Sequence, residues 1–222
     1  MPRRKKIRTT STDCQSGGPG LSRSARKLNN IRREIAVEAA RIMATEGQRN
    51  FMTAKRKAAE RVGANTRVAL PSNLEVEEAL RAYQGFYGGD EHSDHVQDLR
   101  STAIKVMRAL EDFCPRLVGP VLDGTADSHS RVSLHLFSDA PESVMFHLEE
   151  RNISFRQEQR RIRWHDGSYQ NIQLLVTDVN GVSVELALFA PVDLRQAPPS
   201  PVDGRPQKRA RLPEVEILLA AA

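Results

Sequence analysis

The chain has 222 residues, 39% hydrophobic and 27% charged, which suits one sizeable domain with appendages or two small ones. No run of about 18 apolar residues is present to span a bilayer, and two cysteines, Cys14 and Cys114, cannot build a disulfide framework or a zinc site. The net charge of +5 hides an asymmetry: residues 1–67 carry 17 Lys and Arg against 5 Asp and Glu, and the rest of the chain 16 against 23.

Arg3, Arg4, Lys5, Lys6 and Arg8 have no apolar segment behind them, so they do not read as a secretory signal, and a cytoplasmic location without a membrane partner is expected. Residues 1–22 continue through Ser16, Gly17, Gly18, Pro19 and Gly20 and read as a disordered basic leader. From about Ser24, Leu28, Ile31, Ile35, Ala39 and Ile42 recur at three- and four-residue steps, predicting a helix to about Glu46 with Gly47 past its end. A second helix is expected from Thr53, as N-cap, through Ala54, Ala58, Ala59 and Val62 to Gly63. Ser72 and Glu75 make a capping box for a third, closed by Gly85, Gly88 and Gly89. After a loop, Asp94 is expected to cap a fourth, with Val96, Leu99, Ala103, Val106, Leu110 and Phe113 as one apolar stripe up to Pro115. Cys114 reads as a small packed hydrophobe at that helix end. Residues 23–93 form the basic helical region.

The hydrophobic period then changes from helical to alternating. Leu117, Val118, Val121 and Leu122 read as a first strand, and Val132, Leu134 and Leu136, alternating with Ser133, His135 and Phe137, as a second. Asp139, Ala140, Pro141 and Glu142 open a short helix through Leu148. Three strands follow, over about 153–164, 169–179 and 182–189, with His165-Asp166-Gly167 and Asn180-Gly181 as turns. The expected fold class is α+β: N-terminal helices, then a mixed or antiparallel sheet of about five strands with a helix crossover, the sheet domain covering residues 94–192. Residues 193–222 add a stiff, extended Pro-rich linker and an apolar tail expected to dock as a helix on the sheet or on a partner.

No Gly-rich phosphate loop, Gly-x-Ser-x-Gly elbow or HExxH is present. His92 and His95, with Glu91 and Asp94, are close enough in sequence to consider as metal ligands, although loop histidines are more often only exposed. The informative segment runs from Gly119-Pro120-Val121-Leu122-Asp123-Gly124-Thr125 to Ser133-Leu134-His135-Leu136-Phe137. It resembles the nucleotidyltransferase superfamily related to DNA polymerase β, whose signature is a strand, a Gly-Gly or Gly-Ser turn, a strand with two carboxylates separated by one apolar residue, and a third acid on a later strand. It is closer still to a group of small proteobacterial proteins of unassigned activity. The likeness covers about residues 95–190. It implies that Gly124-Thr125 is the turn, that Ser133 and His135 hold the two carboxylate positions, and that Glu185 is the third acid.

A hydroxyl and an imidazole cannot replace two carboxylates in holding two Mg²⁺ ions. The expected protein is therefore nucleotidyltransferase-like without the usual metal ligands, needs no cofactor, and binds nucleotide, nucleic acid or a protein partner. Its candidate pocket is Gly124, Thr125, Ser133, His135 and Glu185, in which Glu185 would favour a protonated His135 able to attract phosphate. His135 reads equally as a satisfied sheet histidine, and Glu185 as a solvent-facing strand residue. One alternative is a divergent active transferase, for which Mg²⁺ would be required. Another is a DNA-binding regulator, because residues 35–63 resemble the first two helices of tetracycline-repressor-type helix-turn-helix domains, although the stretch from Thr66 to Leu70 is short for a recognition helix. On either reading the basic half is expected to contact nucleic acid through Lys55, Arg56, Lys57 and Arg61, with little sequence preference and strong salt dependence.

Overall fold

The structure is a computed structural model that describes residues 23–64 and 69–221. The leader of residues 1–22, with Cys14, and most of the segment from Thr66 lie outside the described residues. The fold is α+β, with helices before strands. Helix α1 (Arg23–Glu46), α2 (Phe51–Arg61) and α3 (Asn73–Tyr87) precede α4 (Gly89–Ala109). Then come β1 (Arg116–Val118), α5 (Pro120–Asp123), β2 (Val132–Phe137), α6 (Pro141–Glu150), β3 (Phe155–Arg163), β4 (Tyr169–Val179), β5 (Val182–Phe189) and α7 (Leu212–Ala220).

The apolar stripe of α1 closes on α2 and α3. Ile35, Ala39, Ile42, Ala54, Ala58, Val76 and Leu80 form one cluster, in which the alanines let the helices approach closely. The side chain of Asn50, not Thr53, caps α2 by accepting the Thr53 N–H at 3.0 Å, so the helix begins three residues earlier than expected and Phe51 joins the apolar cluster. The capping box of α3 is present in both directions, Ser72 Oγ accepting from Glu75 N–H and Glu75 accepting from Ser72 N–H. α4 starts at Gly89 rather than Asp94. Asp90 and Glu91 occupy its first turn, where the helix dipole favours acids, and the expected loop is helical. Cys114 is exposed, not packed: Pro115 disfavours right-handed helix at the residue before it, and Cys114 takes φ 48° at the chain reversal.

The sheet order is β1-β2-β5-β4-β3, antiparallel throughout except for the parallel pair β2 and β5. α6 and the β3–β4 hairpin lie between those two parallel strands in the chain, which is the long connection that parallel pairing requires. The expected first strand stops at Val118. Gly119 takes φ 72°, ψ −154°, and Pro120, with fixed φ and no N–H, starts the single turn α5 that buries Val121. Val132, Leu134, Leu136, Val184, Leu186 and Leu188 face α4, α6 and α7 in the main core, with Leu99, Ala103, Met107, Val144 and Val215 opposite them.

The tail docks within the chain, as α7 against α4 and β1, with Val215 fully buried and Arg108 2.6 Å from Glu216. The Pro-rich segment is not an extended linker. Pro199 pairs with Pro206 across a turn in which Ser200 N–H donates to Arg205 O (2.7 Å) and Gly204 takes φ 72°. From the central strand β5 this strap runs to the β1 edge of the sheet, where Ala210 pairs with Leu117.

Lys55 is a structural residue, 5% exposed, and is corrected here as a nucleic-acid contact. Its ammonium donates to Pro71 O (2.9 Å) and Asn73 Oδ1 (2.6 Å), tying α2 to the start of α3, and burial lowers its pKa. Lys55→Met keeps the volume but leaves a buried carbonyl without its donor. Urea unfolding is expected to show a loss of about 1–3 kcal/mol, whereas Arg56→Met, at an exposed position, stays within about 0.5 kcal/mol of wild type.

Candidate functional site

Because β2 and β5 both direct their apolar residues at the helices, their alternate residues share the other face. Ser133 stands beside Glu185, His135 beside Ala187 and Phe137 beside Phe189. Across β4 and β3 the same face carries Val176, Leu174 and Ile172, then Arg156, Glu158 and Arg160. Phe137, Trp164, Ile172, Leu174, Ala187 and Phe189 make a second, smaller apolar cluster there, against which the strap runs with His165 Nε2 donating to Ala197 O at 3.0 Å.

Glu185 is 4% exposed, and both carboxylate oxygens are engaged by one guanidinium. Arg160 Nη1 donates to Oε1 at 2.8 Å and Nη2 to Oε2 at 2.7 Å. A second guanidinium, Arg131, lies 3.7 Å from Glu185 and equally far from Glu158. A buried carboxylate needs such pairing, because leaving one charge uncompensated in a dry environment is strongly destabilising.

His135 and Glu185 share the face, but among the described residues no carboxylate holds His135. Its ring lies tilted against Phe189 (centroids 4.5 Å apart), and its Nδ1 accepts a hydrogen bond from Arg209 Nε at 3.1 Å, so the neutral tautomer carries its proton on Nε2. Burial, with the positive charges of Arg209 and Arg160 behind it, lowers the His135 pKa to about 3. The expected protonated imidazolium is therefore corrected: the charged groups acting on this ring are cations.

Arg209 arrives from the strap. It donates through Nη1 to Asp193 O (2.6 Å) and lies 5.0 and 5.4 Å from the rings of Phe137 and Phe189. Its buried Nη2 has no hydrogen-bond partner among the described residues, and burial brings its pKa down to about 10. Sequence alone does not place Arg209, or any other strap residue, at this site. The only cue was a basic run, Lys208-Arg209-Ala210-Arg211, 74 positions after His135.

Gly124 and Thr125 are tied to the helices. Gly124 O accepts from His92 Nε2 (3.1 Å) and Thr125 O from Gln84 Nε2 (2.9 Å), while His95 Nε2 donates to Asp127 O (3.0 Å). His92 and His95 thus anchor the loop after α5 instead of converging on a metal. Among the described residues no hydrogen bond or ion pair links Gly124 or Thr125 to Ser133, His135 or Glu185. The turn directly after β1 is Gly119-Pro120, and Gly124 ends α5 with φ 77°. A groove of about 480 Å³ lies nearby between Leu122, Lys208, Ala210 and Ile217, and Arg209 lines it. None of the five pocket residues expected from the sequence does.

The basic helices carry less free charge than their composition suggests. Arg61 pairs with Glu46 (2.7 Å) and Glu38 (3.2 Å), Lys57 with Glu46 (3.6 Å), Arg41 with Glu38 (2.7 Å) and Arg32 with Glu75 (2.5 Å). Of the four residues expected to contact nucleic acid, Arg56 alone is exposed without an ion pair among the described residues.

A group whose folded pKa is depressed binds fewer protons when folded, so stability is present above the unfolded value, about 6.5 for histidine, and is lost as pH falls toward 3. Below about pH 6, urea denaturation is expected to show a fall approaching 1.4 kcal/mol per pH unit from His135, and His135→Gln flattens the profile by that amount. Compared with known proteins, the chain matches no family model and no curated sequence.

Proposed function

We propose that the chain is a nucleotidyltransferase-like protein without the metal-binding carboxylates, and that the part-exposed Arg131 and Arg160 beside Glu185 bind the phosphates of a nucleotide. The supporting order is β1, the Gly119-Pro120 turn, α5 and β2, with the strand of Glu185 beside β2 in parallel register. The observation that carries the reading is the second pair of that register, Ser133 beside Glu185. Ser133 stands where a second acid is needed, and both oxygens of Glu185 are bonded to Arg160.

Two-metal transfer needs several hard anionic oxygens around each ion. Here one carboxylate faces two guanidiniums, and the nearby imidazole is neutral. Each guanidinium has five N–H donors in a planar fork that matches phosphate, and Arg160 directs two of them at Glu185. Its side chain is 52% exposed and that of Arg131 28%, which leaves donors at the surface for a nucleotide. The favoured activity is binding, with Ser133 as an added hydroxyl donor and the strap as one wall.

With Mg²⁺ and labelled nucleoside triphosphates, the purified protein is expected to transfer no label. Robust incorporation that disappears in Glu185→Ala would instead show a divergent active enzyme. Without metal, millimolar nucleoside triphosphate should raise the melting temperature, and Arg131→Ala should abolish that rise. Arg131 is the suitable probe because its ion pairs, at 3.7 Å and part-exposed, contribute no more than about 1 kcal/mol to stability. An undiminished rise in the variant would rule this face out as the binding site.

A further inference from the structure

The β3–β4 hairpin presents a second polar surface on the opposite side of the sheet from Glu185. On the face carrying Arg156, Glu158 and Arg160, every arginine is paired with a carboxylate, within a chain of contacts from 2.7 to 3.7 Å. On the other face the alternate residues are Gln159, Arg161 and Arg163 of β3, opposite Gln173, Asn171 and Tyr169 of β4. Gln159, Arg161, Arg163, Tyr169 and Asn171 are exposed, whereas Met145 of α6 reaches Gln157 and Gln173. Among the described residues, neither Arg161 nor Arg163 makes an ion pair. The carboxylate at the hairpin turn, Asp166, instead accepts from Ser168 N–H (2.9 Å) and Oγ–H (2.7 Å).

The surface is also preorganised. The back of the hairpin is held by Ile162, Trp164 and Ile172 in the smaller apolar cluster and by the His165 bond to the strap. On the front, the Arg161 guanidinium lies 4.2 Å above the Tyr169 ring, which stays 56% exposed. A flat aromatic ring, a stacked guanidinium, a second unpaired arginine and two side-chain amides on a rigid strand pair supply the elements that hold unpaired bases: a π-face, phosphate contacts and hydrogen-bonding groups for base edges. We propose that this face binds single-stranded nucleic acid, with Tyr169 and Arg161 stacking on a base and Arg161 and Arg163 neutralising phosphates. The site is separate from the Glu185 face, and the inference does not depend on the nucleotide reading.

Charges on an edge strand also discourage edge-to-edge pairing. That role needs charge but not the ring, so substitutions that keep the charge separate the two. Fluorescence anisotropy of the full chain with labelled ten-nucleotide oligo-dT and oligo-U, against a duplex control, tests the proposal. Single strands should bind more tightly than duplex. Tyr169→Ala should weaken that binding about tenfold or more, Tyr169→Phe should retain it, and Arg161→Lys should weaken it with charge unchanged. Arg161→Ala with Arg163→Ala should reduce the slope of log affinity against log salt by about 1.4. Melting curves matching wild type confirm that each variant is folded. Unchanged affinity in Tyr169→Ala and the double variant would place binding elsewhere, on the basic helices or residues 1–22. Absence of binding to either oligonucleotide, or equal binding of an acidic polyglutamate peptide, would overturn the proposal.

Discussion

Parallel pairing of β2 with β5, with the apolar residues of both strands turned toward the helices, is the constraint from which the rest of the molecule follows. Val132, Leu134, Leu136, Val184, Leu186 and Leu188 are all buried on that side, each contributing roughly 1.5–3 kcal/mol by leaving water. Slipping the register by one residue would bring Ser133, His135 and Glu185 into the core, so the penalty for slippage is several buried polar groups at once. The pairing also demands a long connection, supplied by α6 and the β3–β4 hairpin, and the hairpin in turn brings Arg160 within reach of Glu185.

Electrostatic order on the two sheet faces follows from that geometry. A carboxylate buried beside Ser133 requires a partner, and Arg160 meets it with two parallel hydrogen bonds, the arrangement in which an arginine is most specific. Four positions away on the same strand, Phe189 packs against His135, and the strap places Arg209 on the imidazole nitrogen that accepts a hydrogen bond. One polar face therefore holds two different chemistries, a neutralised carboxylate and a neutral base beneath a cation. On the opposite face of the hairpin no acid stands in register with Arg161 or Arg163, and neither makes an ion pair among the described residues.

The helical half shows the same principle with the sign reversed. Its excess of Lys and Arg resembles a nucleic-acid footprint in composition, yet Glu38, Glu46 and Glu75 each draw arginines into pairs between helices, and Lys55 is consumed by the α2–α3 connection. Net charge reports what a segment can attract from afar. It does not say which charges remain available after packing.

Period and punctuation alone determined the α+β class, the capping box at Ser72, the strands from Val132, Tyr169 and Val182, and the shared face of Ser133, His135 and Glu185. These are local properties: alternation, three-and-four spacing and turn residues act within a few positions. Missed were the start of α4 at Gly89, the helical turn at Pro120, the exposure of Cys114 and the folded course of the strap. There, local signals of similar strength competed, and packing decided. Partners distant in sequence lay further out of reach. Nothing near His135 indicates Arg209, nothing near Glu185 indicates Arg160, and nothing near Gly124 indicates His92, because strand order and the path of the strap bring them together. The residue types at the candidate site were therefore legible from sequence, whereas their charge states and contacts were set by tertiary structure, since burial and distance in space govern both.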